Sequence, residues 1–218
     1  MAKYFTKKYL CKNPNLMSIT ILIIILTALV SVTAFNKHAI FDRLKFNPSF
    51  IRSENSYYRF LTYGLLHADW GHLFINMFVF FSFGRIVETI FTQHFGSIGN
   101  LFFVLLYLLG LIASVIPAFF KHKENYYYNA VGASGAVAAV LFASILLFPQ
   151  NRIIFIFFPV PIPAFIFGIL YLVYSAYMAK KGSDNIGHDA HFWGAVFGVL
   201  FTIVLDPTFV SHFIRNVF

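Results

Sequence analysis

Six long apolar stretches divide the chain, each closed off by charged or turn-forming residues. They run over Leu16–Phe35, about Trp70–Phe91, Leu101–Phe120, Gly132–Phe148, about Pro161–Met178 and roughly Ala190–Leu205. Runs of this length predict membrane-spanning helices. The first covers about 20 residues, or about 30 Å of helix, which matches a hydrocarbon core. It exceeds the apolar core of a cleaved signal peptide, usually about 7–15 residues, so it is expected to stay in place as a span. Breakers fall where helices must end: Pro149-Gln150-Asn151-Arg152 after the fourth, Lys180-Lys181-Gly182-Ser183 after the fifth, Asp206-Pro207 after the sixth. No internal repeat and no low-complexity linker interrupts the pattern. One six-span domain over residues 1–218 is expected, with a short leader over 1–15. The first loop, 36–69, is rich in Phe, Tyr and Ile as well as basic residues, and is expected to lie amphipathically in the membrane interface.

Composition agrees and narrows the class. Of 218 residues, 59% are hydrophobic and only 11% charged, with a mean hydropathy of +0.75. A soluble domain carries about 25% charge, and disorder needs low hydrophobicity, so both are excluded. The net charge of +8 is scattered between apolar runs, which points to a lipid bilayer as partner and not to nucleic acid. The single Cys11 rules out an internal disulfide and is expected to be an unmodified thiol, although its place beside the membrane would suit palmitoylation. Lys3, Lys7, Lys8 and Lys12 favour a cytoplasmic N-terminus. Lys37, Arg43, Lys45, Arg52 and Arg59, joined by Lys121, Lys123, Lys180 and Lys181 on the opposite side, leave that preference slight.

Polar groups inside spans are costly and so informative. The second span holds His72 and Asn76, four residues apart on one helix face. The fourth opens with Gly132-Ala133-Ser134-Gly135, and the sixth with Ala190-His191, followed by Gly194 and Gly198. Spans two, four and six enter the membrane from the same side, so His72, Ser134 and His191 should lie at similar depth near one face. A serine hydroxyl needs a base to become a nucleophile, and neutral His is the usual one near pH 7. Acyl transfer also needs donors for an oxyanion, which His72, Asn76 and the Ser134 N–H can supply. No carboxylate is placed to orient the base, so the pattern is a Ser–His dyad. His188, closer to the loop than His191, is expected to be solvated. Each element also has a plainer reading, as small-residue helix packing or hydrogen-bonded structural His. The two readings agree, since Gly135, Ala138 and Ala139 against Gly194 and Gly198 would bring Ser134 and His191 together. His72, His188 and His191 lack the His-x-x-x-His spacing or acidic partner of a zinc site, so neither metal nor cofactor is expected.

From about Tyr58 to Gly198 these motifs resemble the rhomboid family of intramembrane serine proteases. Tyr58-Arg59 falls where the family has Trp-Arg, followed by His67, His72-x-x-x-Asn76, Gly84 and Glu88. The nucleophile motif Gly132-Ala133-Ser134-Gly135 and the base helix Ala190-His191-x-x-Gly194-x-x-x-Gly198 follow in family order. The resemblance implies an all-α six-transmembrane-helix bundle with Ser134 as nucleophile and His191 as general base. His72 and Asn76 would contribute to the oxyanion hole, and the site would open on the extracytoplasmic side. It further implies a cytoplasmic N-terminus, a cell (inner or plasma) membrane location, and single-span membrane proteins as substrates. Two positions depart from the family pattern. Tyr58 replaces the Trp, and Ala138 stands where many members carry an aromatic that stacks on the base. The competing classes are an inactive relative that binds membrane clients and a small transporter. The first would lack Ser134 or His191. The second would place polar groups at both membrane faces.

Overall fold

The computed structural model describes residues 18–155, 158–182 and 186–218; the leader over 1–15, with Cys11, lies outside them. Six helices among the described residues are long. They are α1 (Ile19–Phe35), α5 (Trp70–Phe95), α6 (Gly99–His122), α7 (Ser134–Leu147), α8 (Ala164–Lys181) and α9 (His188–Leu205). The first loop folds into three short helices, α2 (His38–Leu44), α3 (Pro48–Glu54) and α4 (Arg59–Thr62), and a terminal helix α10 covers Thr208–Val217.

Named contacts give the direction of each long helix. Thr20 meets Gly84 and Phe35 meets Trp70, so α1 and α5 are antiparallel. Phe80 packs on Phe103 and Tyr107 while Phe95 packs on Phe102, which turns α6 back along α5. Ser114 lies against Gly135 and Gly110 against Ala139, so α7 opposes α6. Gly168 and Tyr171 of α8 meet Phe142 of α7, while Tyr171 and Tyr174 reach the start of α9. The chain therefore runs up and down in sequence order, and α5, α7 and α9 point the same way, as parity required.

At the centre stands α7, whose residues from Gly135 to Leu147 are all buried. Around it, the outer helices show apolar side chains to the outside, among them Leu29, Phe74, Leu101, Ile169 and Val204. A buried centre with an exposed apolar shell is the arrangement expected of a body solvated by lipid. The inner stripe of α1 inverts the soluble pattern: Thr20, Thr27 and Ser31 are buried while Leu22, Leu26 and Leu29 face out. Its N-terminus is held by Glu88 of α5, which accepts hydrogen bonds from the Ile19 and Thr20 N–H groups at 2.7 and 3.1 Å and from the Thr20 hydroxyl at 2.7 Å. A carboxylate there also meets the positive end of the helix dipole.

By length and composition, Trp70–His122 (mean hydropathy 2.5) and His188–Leu205 (1.4) are the described segments able to cross a membrane; Ile19–Phe35 and Ser134–Leu147 are apolar but shorter.

Two elements differ from the sequence reading. The expected fifth span begins at Ala164, not Pro161. Residues 152–163 instead form an antiparallel hairpin, β1 (Arg152–Phe155) with β2 (Phe158–Pro163), pairing Ile153 with Ile162, a short addition to a body that is otherwise helical, as expected. Proline lacks the N–H of an interior helical position but is tolerated on the open edges of a two-stranded ribbon. The first loop is also no single amphipathic stretch. It closes around Arg59, 5% exposed, which donates to the carbonyls of Asp42 and Lys45 at 2.8 and 3.0 Å and lies against the Phe50 and Tyr58 rings.

Candidate active site

His72, Ser134 and His191 each sit in the first turn of their helices, at the same end of the bundle. Asp69 caps α5 by accepting from the His72 N–H at 2.8 Å, which places His72 third in that helix. Ser134 is the first residue of α7 and His191 the fourth of α9.

The backbone leading into Ser134 is held from the first loop. Phe46 and Ala130 exchange both backbone hydrogen bonds, at 3.0 and 2.9 Å, and the Gly132 N–H donates to the Tyr63 carbonyl at 3.0 Å. Gly132 has φ +117°, a conformation that favours glycine, and a Cβ there would fall 2.7 Å from Cε1 and 3.0 Å from Nε2 of His72. The imidazole edge of His72 thus rests on the peptide two residues before Ser134. Its Nδ1 accepts from the Ala68 N–H at 3.4 Å, so the ring proton is on Nε2, on the Gly132 side. Ser134 is half-buried, whereas Gly132, Ala133 and Gly135 around it are buried. In this opening the hydroxyl is the group left within reach.

Helix α9 approaches by backbone contact. A Cβ on Gly194 would overlap the Gly135 carbonyl, and one on Gly198 would overlap the Ala139 carbonyl. The Ala190 carbonyl lies 3.3 Å from the Cβ position of Gly135. The first turns of α7 and α9 therefore abut, with His191 next to the contact point, as the small-residue pattern indicated. Asn76 lies one turn beyond His72. It is buried, and its amide donates to the His72 carbonyl at 2.9 Å, which leaves its second N–H for a ligand.

The setting of His188 was misread, and the burial of His67 against a polar face of α1 was missed. His188 is 4% exposed and meets the His191 ring edge-on at 5.9 Å. The expectation that it is solvated is corrected, because α9 starts at His188 and its first turn already packs inside the bundle. Asp189 faces Lys121 at 3.9 Å. His67 is 1% exposed; the Ser31 hydroxyl donates to the Leu65 carbonyl at 2.7 Å, so it accepts from His67 Nδ1 at 3.0 Å, and the ring meets His72 edge-on at 4.9 Å. The spacing of Thr20, Thr27 and Ser31, seven and four residues apart, was the available signal for an inward polar face on α1. Among the described residues no three His, Cys, Asp or Glu side chains converge as a metal site requires.

Burial, followed by the neighbouring His72, pushes the His67 pKa from 6.5 down to about 3. The unfolded chain binds a proton here more readily than the folded one. The contribution to stability is therefore complete above about 6.5 and is lost as pH falls below it. We expect detergent-solubilised protein to be about 2 kcal/mol less stable at pH 5 than at pH 7.5 through this residue. A His67→Gln variant should show a correspondingly flatter dependence of its unfolding midpoint on pH, and an equal slope would refute the assignment.

The lipid-facing shell and buried polar stripe define a helical integral membrane protein. A profile of the Rhomboid domain matches residues 54–207, and the chain belongs to the rhomboid family. It is 30% identical over 146 residues to RHOMBOID-like protein 12, mitochondrial, of Arabidopsis thaliana, covering 62% of this chain and 42% of that protein. Rhomboid protein 1, mitochondrial, of Saccharomyces cerevisiae is 29% identical over 143 residues, covering 62% and 38%. The presenilin-associated rhomboid-like protein, mitochondrial, of Rattus norvegicus is also 29% identical over 143 residues, covering 61% and 34%. The matched region spans less than half the length of each of these relatives.

Proposed function

We propose that the protein is an intramembrane serine endopeptidase whose six long helices all span the bilayer, with the N-terminus cytoplasmic and Ser134 and His191 as its dyad. One observation carries the reading: a half-buried serine opens a helix that is otherwise buried throughout, backbone to backbone with the helix that bears His191. The rhomboid family generally consists of serine proteases, which fits.

In this reading Ser134 Oγ attacks the scissile carbonyl carbon while His191 removes the hydroxyl proton. The oxyanion receives hydrogen bonds from His72 Nε2–H, the Ser134 N–H and the remaining Asn76 N–H. As the C–N bond breaks, His191 gives its proton to the leaving amine, and an ester joins Ser134 to the acyl half. Water, deprotonated by His191, then hydrolyses the ester and restores the serine. Substrates are single-span membrane proteins whose helices unwind locally, because a hydrogen-bonded helix hides its carbonyls. At about 21 Å, α7 is shorter than a hydrocarbon core of about 30 Å, which leaves Ser134 recessed from the membrane surface.

The test is cleavage of a single-span reporter by purified protein in detergent, together with labelling by a fluorophosphonate. Failure of both would turn the reading to a client-binding relative without activity. One oxyanion donor is worth about 10²–10³ in rate. With His72 and a backbone N–H still in place, Asn76→Ala should slow kcat by at most that factor without abolishing turnover. Unchanged kcat in Asn76→Ala would make Asn76 a packing residue. The location read from the sequence is a cell membrane, whereas the relatives above carry "mitochondrial" in their names; fractionation of the native cells distinguishes the two.

A further inference from the structure

An imidazole that acts as base must be held, because a ring free to turn spends little time in line with the hydroxyl. Hydrolases often hold it with a carboxylate. The carboxylate nearest in sequence, Asp189, is turned to Lys121. Two rings of described residues meet His191. Tyr171 of α8 lies 6.2 Å away, centroid to centroid, inclined by 30°, and His188 lies 5.9 Å away at 80°. Both distances fall in the range of favourable aromatic pairs.

Tyr171 is itself fixed. Phe142 and Phe167 meet its ring at 5.4 and 5.7 Å, and it packs on an apolar cluster that contains Ala138 and Ala195. A large side chain at either alanine would compete for that space. His188 is steadied in turn by Tyr174, edge-on at 5.5 Å. The surroundings of His191 are thus set from α8 as well as from its own helix.

We infer that Tyr171 is a positioning residue that orients the His191 imidazole from α8 through its ring and not its hydroxyl, an inference that rests on the protease reading. The contact belongs to a helix that carries neither member of the dyad, so the set of the base depends on where α8 lies.

The experiment uses the full chain in proteoliposomes with the single-span reporter. Tyr171→Leu and Tyr171→Met, which remove the ring, should each lower kcat about tenfold, the loss of one well-made aromatic contact, and change KM less than about twofold. Fluorophosphonate labelling of Ser134, which needs the base but no docked substrate, should slow by the same factor. Tyr171→Phe should stay within about twofold of wild type in both. A loss confined to KM, undiminished labelling in the Leu and Met variants, or equal loss in Tyr171→Phe would overturn the inference. A wild-type protein that neither labels nor cleaves sinks the protease reading itself; a labelled wild type with insensitive Tyr171 variants sinks only this step.

Discussion

Exchanging Ser134 for alanine is expected to silence cleavage while leaving the protein inserted and folded. The hydroxyl belongs to the half-buried first residue of α7, at a helix end and not in its packed interior, so its loss removes chemistry more than structure. Alanine fits the helix start and opens at most a cavity of one oxygen. In the proposed mechanism, His191 then has no proton to take, and the remaining oxyanion donors bind the carbonyl without attacking it. Turnover should fall on the order of 10⁴-fold or more, below detection in a reporter assay. Fluorophosphonate labelling should vanish in the same variant, while its unfolding midpoint stays with wild type. Retained turnover would move the nucleophile elsewhere.

The second large effect is structural. Gly198→Val should cost the fold and not only the rate. The added Cβ would meet the carbonyl of Ala139, a backbone atom that no rotamer change can move. The relief available is to separate α9 from α7. Overpacking typically costs about 1–3 kcal/mol, and more where backbone must shift. Separation also draws the helix bearing His191 away from the helix bearing Ser134. Gly194→Ala, against the Gly135 carbonyl, should show the same coupling of lost stability and lost activity. Gly168→Ala is the matched control, since its Cβ would find Ile145 Cδ1 at 3.4 Å, ordinary contact. Unfolding titrations of the three variants decide the matter: equal stability across them would refute the close approach.

What the sequence made legible, and what it hid, follows from the kind of signal each feature carries. Long apolar runs announced the six helices, because lipid and core demand the same side chains. Parity alone aligned His72, Ser134 and His191, and the glycine spacing on α9 foretold its contact with α7. The same runs hid everything whose cause is long-range. Arg59 reads in the sequence as one of several flanking charges, whereas its partners in the fold include backbone carbonyls 17 and 14 residues away. His188 looked wet because it neighbours Asp189 and a loop, yet the first turn of α9 is already inside the bundle. Of the hairpin over 152–163, only Pro161–Pro163 falls within the expected fifth span, and the stretch before it carries no expected element because its pairing joins two short runs that show no long apolar signal. The ten-residue α10 was invisible to a search for long runs.

The complete burial of α7 bears on how the protein comes to exist in its membrane. A segment of 14 residues falls short of the about 20 that partition into lipid unaided, and once in place it keeps no lipid-facing side. On the proposed six-span arrangement, its neighbours α6, α8 and α9 must therefore supply its solvent during synthesis, so that insertion and tertiary packing become one event. A variant that loosens this packing would then be met by the cell as a wrongly threaded chain, removed by quality control, rather than as an inactive enzyme.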